Sequence, residues 1–140
     1  MNSVPERCGP GPLRADMTSS PKSTVLDGYA ATAQTRARAR RERLEARRQR
    51  SWALAQRSAA RLKDEFGASR VTVFGSVLRP SLFHERSDVD LAVWGLDEHL
   101  YLRALAALLD LDPEISVDLV EAEQARPELL QAIERDGLLL

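Results

Sequence analysis

Residues 70–94 read RVTVFGSVLRPSLFHERSDVDLAVW, and this stretch decides the fold. It opens on Arg70–Phe74, a short run rich in β-branched residues that predicts a strand. Gly75 and Ser76 follow at once and begin a polar connection. The segment Asp88–Trp94 then alternates carboxylate with aliphatic side chains, which is typical of a second strand. The stretch therefore predicts two strands that are joined by a turn and a loop.

The chain that follows predicts the rest of a small domain. Leucines recur on one side of Asp97–Leu109, which favours a helix. Ile115–Val120 predicts a third strand, and a final helix is expected from Pro127 to about Asp136 because proline suits a first helical turn. With a helix before Arg70, this order predicts an α+β fold with a small mixed sheet of three to four strands flanked by helices.

A long helix is predicted ahead of these strands. Residues 29–66 contain neither proline nor glycine and are rich in helix formers. In the second half, apolar residues recur at spacings of three and four, as on a helix face that packs on a core. These residues are Trp52, Ala55, Ala59, Leu62 and Phe66. We therefore expect a disordered tail over 1–27, where four of the seven prolines lie, a long basic helix over 28–66, and a globular domain over 67–140. Met17 is an alternative start.

The two halves of the chain carry opposite charge. Residues 1–66 have a net charge of +7 and residues 67–140 a net charge of −8. Eight arginines lie between Arg36 and Arg50. Such a run is consistent with nucleic-acid binding, with docking on an acidic partner, or with a solvated helix extension, and the sequence leaves these three readings open.

Composition excludes several classes of protein. The longest aliphatic run, Ala104–Leu109, is far shorter than the roughly twenty apolar residues of a membrane-spanning helix. The first residues lack the apolar segment of a secretory signal. Cys8 is the single cysteine, so an internal disulfide is impossible. We expect a soluble cytoplasmic protein that does not insert into a membrane.

Three acidic residues interrupt the predicted strands. Asp88 and Asp90 are two residues apart, so both carboxylates project from the same strand face. Asp118 breaks the apolar pattern of the third strand in the same way. If the two strands are neighbours, three carboxylates converge, and like charges at short range disfavour joint ionisation. Mg²⁺ removes that conflict, and two such ions would suit a phosphoryl-type displacement.

A turn between the first two strands adds a second functional signal. Gly75 lets the backbone approach a phosphate closely, and the Ser76 hydroxyl with the following amides can donate to phosphate oxygens. This grip would be strongest if a short helix begins there. The chain contains neither a Gly-Lys-Ser/Thr loop nor a Gly-x-Gly-x-x-Gly fingerprint. An ordinary strand-ending turn is the alternative reading.

Together, VFGS, an eleven-residue spacer, DVD and the later Asp118 form a specific combination. The chain thereby resembles the minimal nucleotidyltransferase (MNT) domain family of the DNA polymerase β-like nucleotidyltransferase superfamily, over about residues 50–140. The resemblance implies that Asp88 and Asp90 form the metal-binding pair and that Asp118 is the third carboxylate, a ligand and base. Gly75 and Ser76 match the phosphate-binding turn. Arg79 takes the place of an arginine in relatives, although Pro80 stands where they have glycine and the spacer is one residue longer.

The resemblance also implies a function. Family members transfer a nucleoside monophosphate from an NTP, here expected to be ATP, to a hydroxyl with the help of Mg²⁺. Minimal members of the MntA type are antitoxins paired with a HEPN ribonuclease toxin, which some of them AMPylate. We therefore expect a protein adenylyltransferase that acts as an antitoxin. The alternative is a catalytically silent antitoxin that neutralises its partner by contact and also binds DNA through Arg36–Arg50.

Overall fold

The computed structural model describes residues 21–140, with side chains described from residue 25 onward. These residues form three α-helices: α1 Pro21–Phe66, α2 Tyr101–Leu109 and α3 Pro127–Asp136. They form four β-strands: β1 Arg70–Phe74, β2 Val89–Trp94, β3 Val117–Glu121 and β4 Leu138–Leu139. Short 3₁₀ turns lie at Gly75–Leu78, Glu98–Leu100 and Ala122–Gln124. Nowhere in this part of the chain is a helix both long and apolar enough to cross a membrane.

The described strands form one mixed sheet in the order β3-β2-β1-β4. Strand β1 pairs antiparallel with β2 on one side and with β4 on the other, while β2 and β3 run parallel. The parallel pair needs a crossover, and α2 supplies it between β2 and β3. The predicted α+β fold, with a small mixed sheet, flanking helices and a long N-terminal helix, is confirmed.

Helix α1 begins at Pro21, seven residues before its predicted start. The prediction read residues 1–27 as a tail because four prolines lie there, but the last of them, Pro21, is the first residue of the helix, where proline is well tolerated. The predicted tail over 1–27 thus overlaps the helix from residue 21, and its first twenty residues lie outside the described part. Contacts divide the chain into one unit up to Arg41 and a second unit, Glu42–Leu140. The predicted three-part domain division itself stays a prediction.

The core of the second unit lies between the C-terminal half of α1 and the sheet. The apolar stripe predicted for this half is confirmed, because Ala55, Ala59 and Leu62 are buried and Trp52 and Phe66 pack at its border. The sheet contributes alternate residues of β1, β2 and β3, together with two residues of α2. These core residues are Val71, Val73, Val89, Leu91, Val93, Val117, Leu119, Ala104 and Leu108.

An ion pair ties α1 to the connection before β3. The guanidinium of Arg50 binds both carboxylate oxygens of Asp112, at 2.7 and 2.8 Å, and also binds Glu114. Asp112 is only 6% exposed. Burial raises the pKa of its carboxyl, but hydrogen bonds from the Glu114 amide and from Arg50 outweigh burial and leave that pKa below its usual value. Asp112 therefore stays ionised and bound to Arg50 at neutral pH.

Backbone carbonyls accept hydrogen bonds from two further arginines of α1. Arg48 donates to the carbonyl of Val77 at 3.0 Å, and Arg57 donates to that of Leu111 at 3.0 Å. Arg48 and Arg50 both belong to the basic run for which nucleic-acid binding was one of three open interpretations. Both side chains bind protein groups of the same unit. Nucleic-acid binding through Arg36–Arg50 stays a prediction.

The end of α3 packs tightly on the sheet through Gly137. A Cβ at this position would collide with the carbonyl of Ile133 and with the side chain of Thr72 on β1. The amide of Gly137 donates to Ile133 at 2.8 Å and closes the last helical turn. The chain then enters β4, which pairs with Thr72 and Val73. The absence of a side chain at Gly137 thus sets how closely α3 approaches β1.

We predict that Gly137→Ala lowers the free energy of unfolding by about 1–3 kcal/mol, because the new methyl group is forced against backbone and a buried threonine. Gly28→Ala is the matched control, since a Cβ there meets nothing within 4 Å. It should leave stability unchanged or slightly higher. Chemical denaturation measures both variants, and equal stabilities would contradict the packing argument.

Candidate active site

The register of the sheet determines where the predicted catalytic carboxylates lie. Asp90 of β2 is paired with Asp118 across the parallel β2–β3 ladder. On its other side, Asp90 is paired with Phe74, the last residue of β1. Asp88 lies one residue before β2 begins. The structure therefore brings Asp88, Asp90 and Asp118 to one end of the β2–β3 pair, as the alternation of the sequence predicted.

Electrostatics shows that these carboxylates interact. Asp90 is half-buried, and its pKa is raised from 3.8 to about 6, first by burial and then by the charges of Asp118 and Asp88. At neutral pH the site therefore holds an ionised carboxylate that its surroundings disfavour. A divalent cation would remove this repulsion.

The donor set fits a hard cation in a specific way. Within residues 21–140, no group of three or more His, Cys, Asp or Glu side chains is arranged to hold a metal ion by itself. Mg²⁺ is usually bound by one or two carboxylates, with water and substrate phosphates completing the octahedron. Asp90, with Asp88 or Asp118, fits such a site, in which the phosphates of a substrate supply the remaining ligands. The assignment of all three as metal ligands stays a prediction.

Glycine is required where β1 turns toward these carboxylates. Gly75 has a φ of +82°, and a Cβ built on it would overlap the carboxylate of Asp90. A four-residue 3₁₀ helix, Gly75–Leu78, begins at this position. A short helix at this position is the condition under which the phosphate grip was expected to be strongest, because the first amides of a helix have no partner within it. The turn thus lies directly against the Asp90 carboxylate.

A cavity of about 360 Å³ adjoins the turn. Gly75, Ser76 and Arg79 contribute to its wall, and so do Arg135 and Asp136 from the end of α3. Arg79 Nη2 lies 3.2 Å from Asp136 Oδ2. Arg135 and Asp136 could not be predicted from the sequence, because more than fifty residues separate them from the turn and no motif marks them.

Tyr101 lies close to the carboxylates, but its role is structural. Its hydroxyl donates to the carbonyl of Leu119 on β3 at 2.7 Å. Its pKa is raised, first by burial and then by the charges of Asp118 and Glu121. The phenol therefore stays protonated and anchors the start of α2 to β3.

Comparison with known proteins agrees with the fold and the motif. Residues 59–140 match the family described as Polymerase beta, Nucleotidyltransferase. The chain is 34% identical to a structure of a minimal nucleotidyltransferase, with 71% of this chain and 95% of that chain covered and a TM-score of 0.45. It is 24% identical to a toxin–antitoxin crystal structure with AMP-PNP, with 60% of this chain and 70% of that chain covered and a TM-score of 0.51.

A third similar structure is the toxin–antitoxin MntA–HepT, at 22% identity, with 63% of this chain and 69% of that chain covered and a TM-score of 0.48. A search of curated proteins finds no significant match.

The match to the family over residues 59–140 covers more than half of the chain and includes the turn and all three carboxylates. The class that fold and motif define is a nucleotidyltransferase domain. The chain belongs to the Polymerase beta nucleotidyltransferase family, which confirms the resemblance that the motifs indicated.

We predict that Gly75→Ala reduces the affinity for ATP in the presence of Mg²⁺ by at least about tenfold, because the new methyl group displaces the Asp90 carboxylate. Gly67→Ala is the matched control. Gly67 also has a positive φ, +73°, but a Cβ there meets nothing within 4 Å. Both variants should lose about 1–2 kcal/mol of stability from backbone strain, and only the first should lose nucleotide affinity. Isothermal titration calorimetry measures both affinities, and equal values for the two variants would contradict the contact between position 75 and the Asp90 carboxylate.

We also predict that Asp90→Asn stabilises the metal-free protein at pH 7.5. The pKa of Asp90 is higher in the folded chain than in the unfolded chain, so its ionisation costs stability as pH rises from about 4 to about 6. Asparagine removes this cost, on the order of 1 kcal/mol after allowance for solvent screening. At pH 4 the two proteins should differ much less. Urea unfolding at both pH values measures this, and a pH-independent difference would refute the explanation.

Proposed function

We propose that this protein is a Mg²⁺-dependent nucleotidyltransferase that moves AMP from ATP onto a hydroxyl of a HEPN-type toxin, for which it is the antitoxin. One observation carries the proposal: in a chain of the nucleotidyltransferase family, the sheet register places Asp90 beside Asp118 and against the Gly75 turn. A phosphate held by the turn would therefore adjoin the carboxylates that must act on it.

The residues have separate roles in this proposal. The Ser76 hydroxyl and the amides of the turn hold phosphate oxygens of ATP. Asp88 and Asp90 would bind Mg²⁺, which supplies positive charge against the phosphates and the carboxylates; the number of ions expected is two. Asp118 accepts the proton of the acceptor hydroxyl. The hydroxyl oxygen forms a bond to the α-phosphorus, the bond between this phosphorus and the bridging oxygen breaks, and pyrophosphate leaves.

The similar toxin–antitoxin structure with AMP-PNP supports both the nucleotide and the partner. It has the same fold, and its description combines an ATP analogue with a toxin–antitoxin assembly. Acidic character also suits a nucleotide enzyme that depends on cations, because residues 67–140 carry a net charge of −8. ATP and a protein acceptor are therefore the substrates that we propose to test first.

A second candidate is a catalytically silent antitoxin that acts by contact alone. It is favoured by two departures from the family motif beside the phosphate-binding turn, Pro80 in place of a glycine and a spacer that is one residue longer. In this case the carboxylates are dispensable for neutralising the toxin. The two candidates differ in whether transfer depends on Asp88, Asp90 and Asp118.

We predict that incubation with Mg²⁺, a HEPN-type toxin that this protein neutralises, and ATP radiolabelled at the α-phosphate labels that toxin. The double variant Asp88→Ala/Asp90→Ala should abolish labelling, and Asp118→Asn should reduce its rate by at least about 100-fold, which is typical for loss of a general base. Gly67→Ala should retain labelling. Equal labelling by wild type and the double variant would refute catalysis by this site, whereas toxin neutralisation without any labelling would favour the silent antitoxin.

A further inference from the structure

The carbonyl of Val77 lies at a point where the 3₁₀ turn has no donor to offer. In a 3₁₀ helix, each carbonyl accepts a hydrogen bond from the amide three residues further on. The last bond of this kind here runs from the Arg79 amide to the carbonyl of Ser76, at 2.9 Å. The next donor in the pattern would be the amide of residue 80, but this residue is Pro80, which has no N–H.

Pro80 also keeps the backbone from continuing the helix. The residue before a proline is restricted to extended conformations. Arg79 accordingly has a φ of −125° and a ψ of 93°, outside the helical region. Another residue at position 80 would supply an N–H and would allow Arg79 a helical conformation. Pro80 is therefore the reason that the 3₁₀ pattern has no donor for Val77.

Arg48 of α1 supplies this hydrogen bond instead. Its Nη1 donates to the carbonyl of Val77 at 3.0 Å. Val77 is fully buried, so its carbonyl depends on a protein donor rather than on water. A buried carbonyl that loses its donor is destabilising, and a bond from a charged donor is stronger than a neutral one. The contact thus fixes the end of the 3₁₀ turn to the long helix.

The surroundings hold Arg48 in this position. Its Nε lies 3.4 Å from Oε2 of Glu45, which is three residues earlier on the same helix, and its side chain is only 28% exposed. Arg48 also lines a cavity of about 400 Å³ that adjoins Val77 and Leu78 of the turn. Because this space lies beside the turn, loss of the Arg48 contact would leave the turn room to move.

We propose that Arg48 is a positioning residue for nucleotide transfer: it replaces the backbone donor that Pro80 removes, and it thereby fixes the turn that carries Gly75 and Ser76. This inference rests on the proposed function, in which that turn holds the nucleotide. Relatives have a glycine at the position of Pro80 and so keep an N–H there. Arg48 compensates for the donor that this chain has lost, and the departure at Pro80 does not by itself imply a silent site.

The first test is a double-mutant cycle that needs no nucleotide. Arg48→Met keeps the apolar stem but removes the donors, so the turn should open more readily and the Arg79 amide should exchange with solvent at least about tenfold faster. In a Pro80→Ala background, the new amide at position 80 can donate to Val77, so Arg48→Met should accelerate exchange less than about threefold. Hydrogen exchange followed by NMR measures all four proteins. Equal acceleration in both backgrounds, or none in either, would overturn the proposal.

Arg57→Met is the matched control. Arg57 lies on the same helix and also donates to a backbone carbonyl at 3.0 Å, but its partner is Leu111, which follows α2. The substitution removes the same charge and the same kind of hydrogen bond, and it should leave exchange of the Arg79 amide unchanged. If Arg57→Met accelerated that exchange as much as Arg48→Met does, the effect would be general destabilisation and the positioning role would be wrong.

Transfer kinetics distinguish this inference from the proposed function. In an active wild type, Arg48→Met should raise KM for ATP about five- to tenfold, because a looser turn holds the phosphates less well before transfer, and Arg57→Met should not. If wild type transfers AMP and Arg48→Met leaves KM and kcat unchanged, the positioning role fails and the function stands. If wild type transfers nothing while the exchange cycle shows the expected coupling to Pro80, the function fails and the anchoring of the turn by Arg48 stands.

Discussion

The candidate site depends on one constraint: hydrophobic packing holds like charges close together in the sheet. The parallel register of β2 and β3 sets Asp90 opposite Asp118, and the same residue is paired with the end of β1. Burial and the neighbouring carboxylates oppose ionisation of Asp90, so the site is electrostatically incomplete without a cation. The folded state tolerates this electrostatic repulsion because the opposite faces of the strands carry core residues such as Leu91 and Leu119. Burial of these residues fixes the register. The placement of the carboxylates is thus a by-product of hydrophobic packing on the other side of the sheet.

The long helix has two parts with different physical roles. Toward its C-terminal end it is held by apolar burial and by arginines that bind fixed protein groups, among them Asp112 and the carbonyl of Val77. The latter contact connects the helix to the 3₁₀ turn that begins at Gly75. The part up to Arg41 belongs to a separate unit, and its described side chains are almost all exposed. Charge alone could not distinguish these two parts, since arginines are frequent in both.

Local features could be predicted well from the sequence, whereas contacts between residues far apart in the chain could not. Residues 70–74 and 127–136 were assigned with the bounds that the structure has, because a β-branched run and a proline at a helix start are local signals. The two-residue β4 was missed, since it owes its strand conformation to pairing with β1. The convergence of Asp88, Asp90 and Asp118 followed from strand alternation, whereas the partner of Arg79, Asp136, is 57 residues away and has no local signature. The carboxylates were therefore predictable because they lie on strands, and the contact between Arg79 and the end of α3 was not.

The two edges of the sheet also bear on how the protein behaves at high concentration. An open edge can recruit strands from other molecules and seed aggregates. At one edge β4 offers only two residues, Leu138 and Leu139, which are 47% and 65% exposed, so an added strand would gain few hydrogen bonds. The other edge, β3, is longer but carries Asp118 and Glu121, whose charges disfavour pairing with a second copy. The carboxylate proposed to act as the base would thus also disfavour strand pairing between two molecules at this edge.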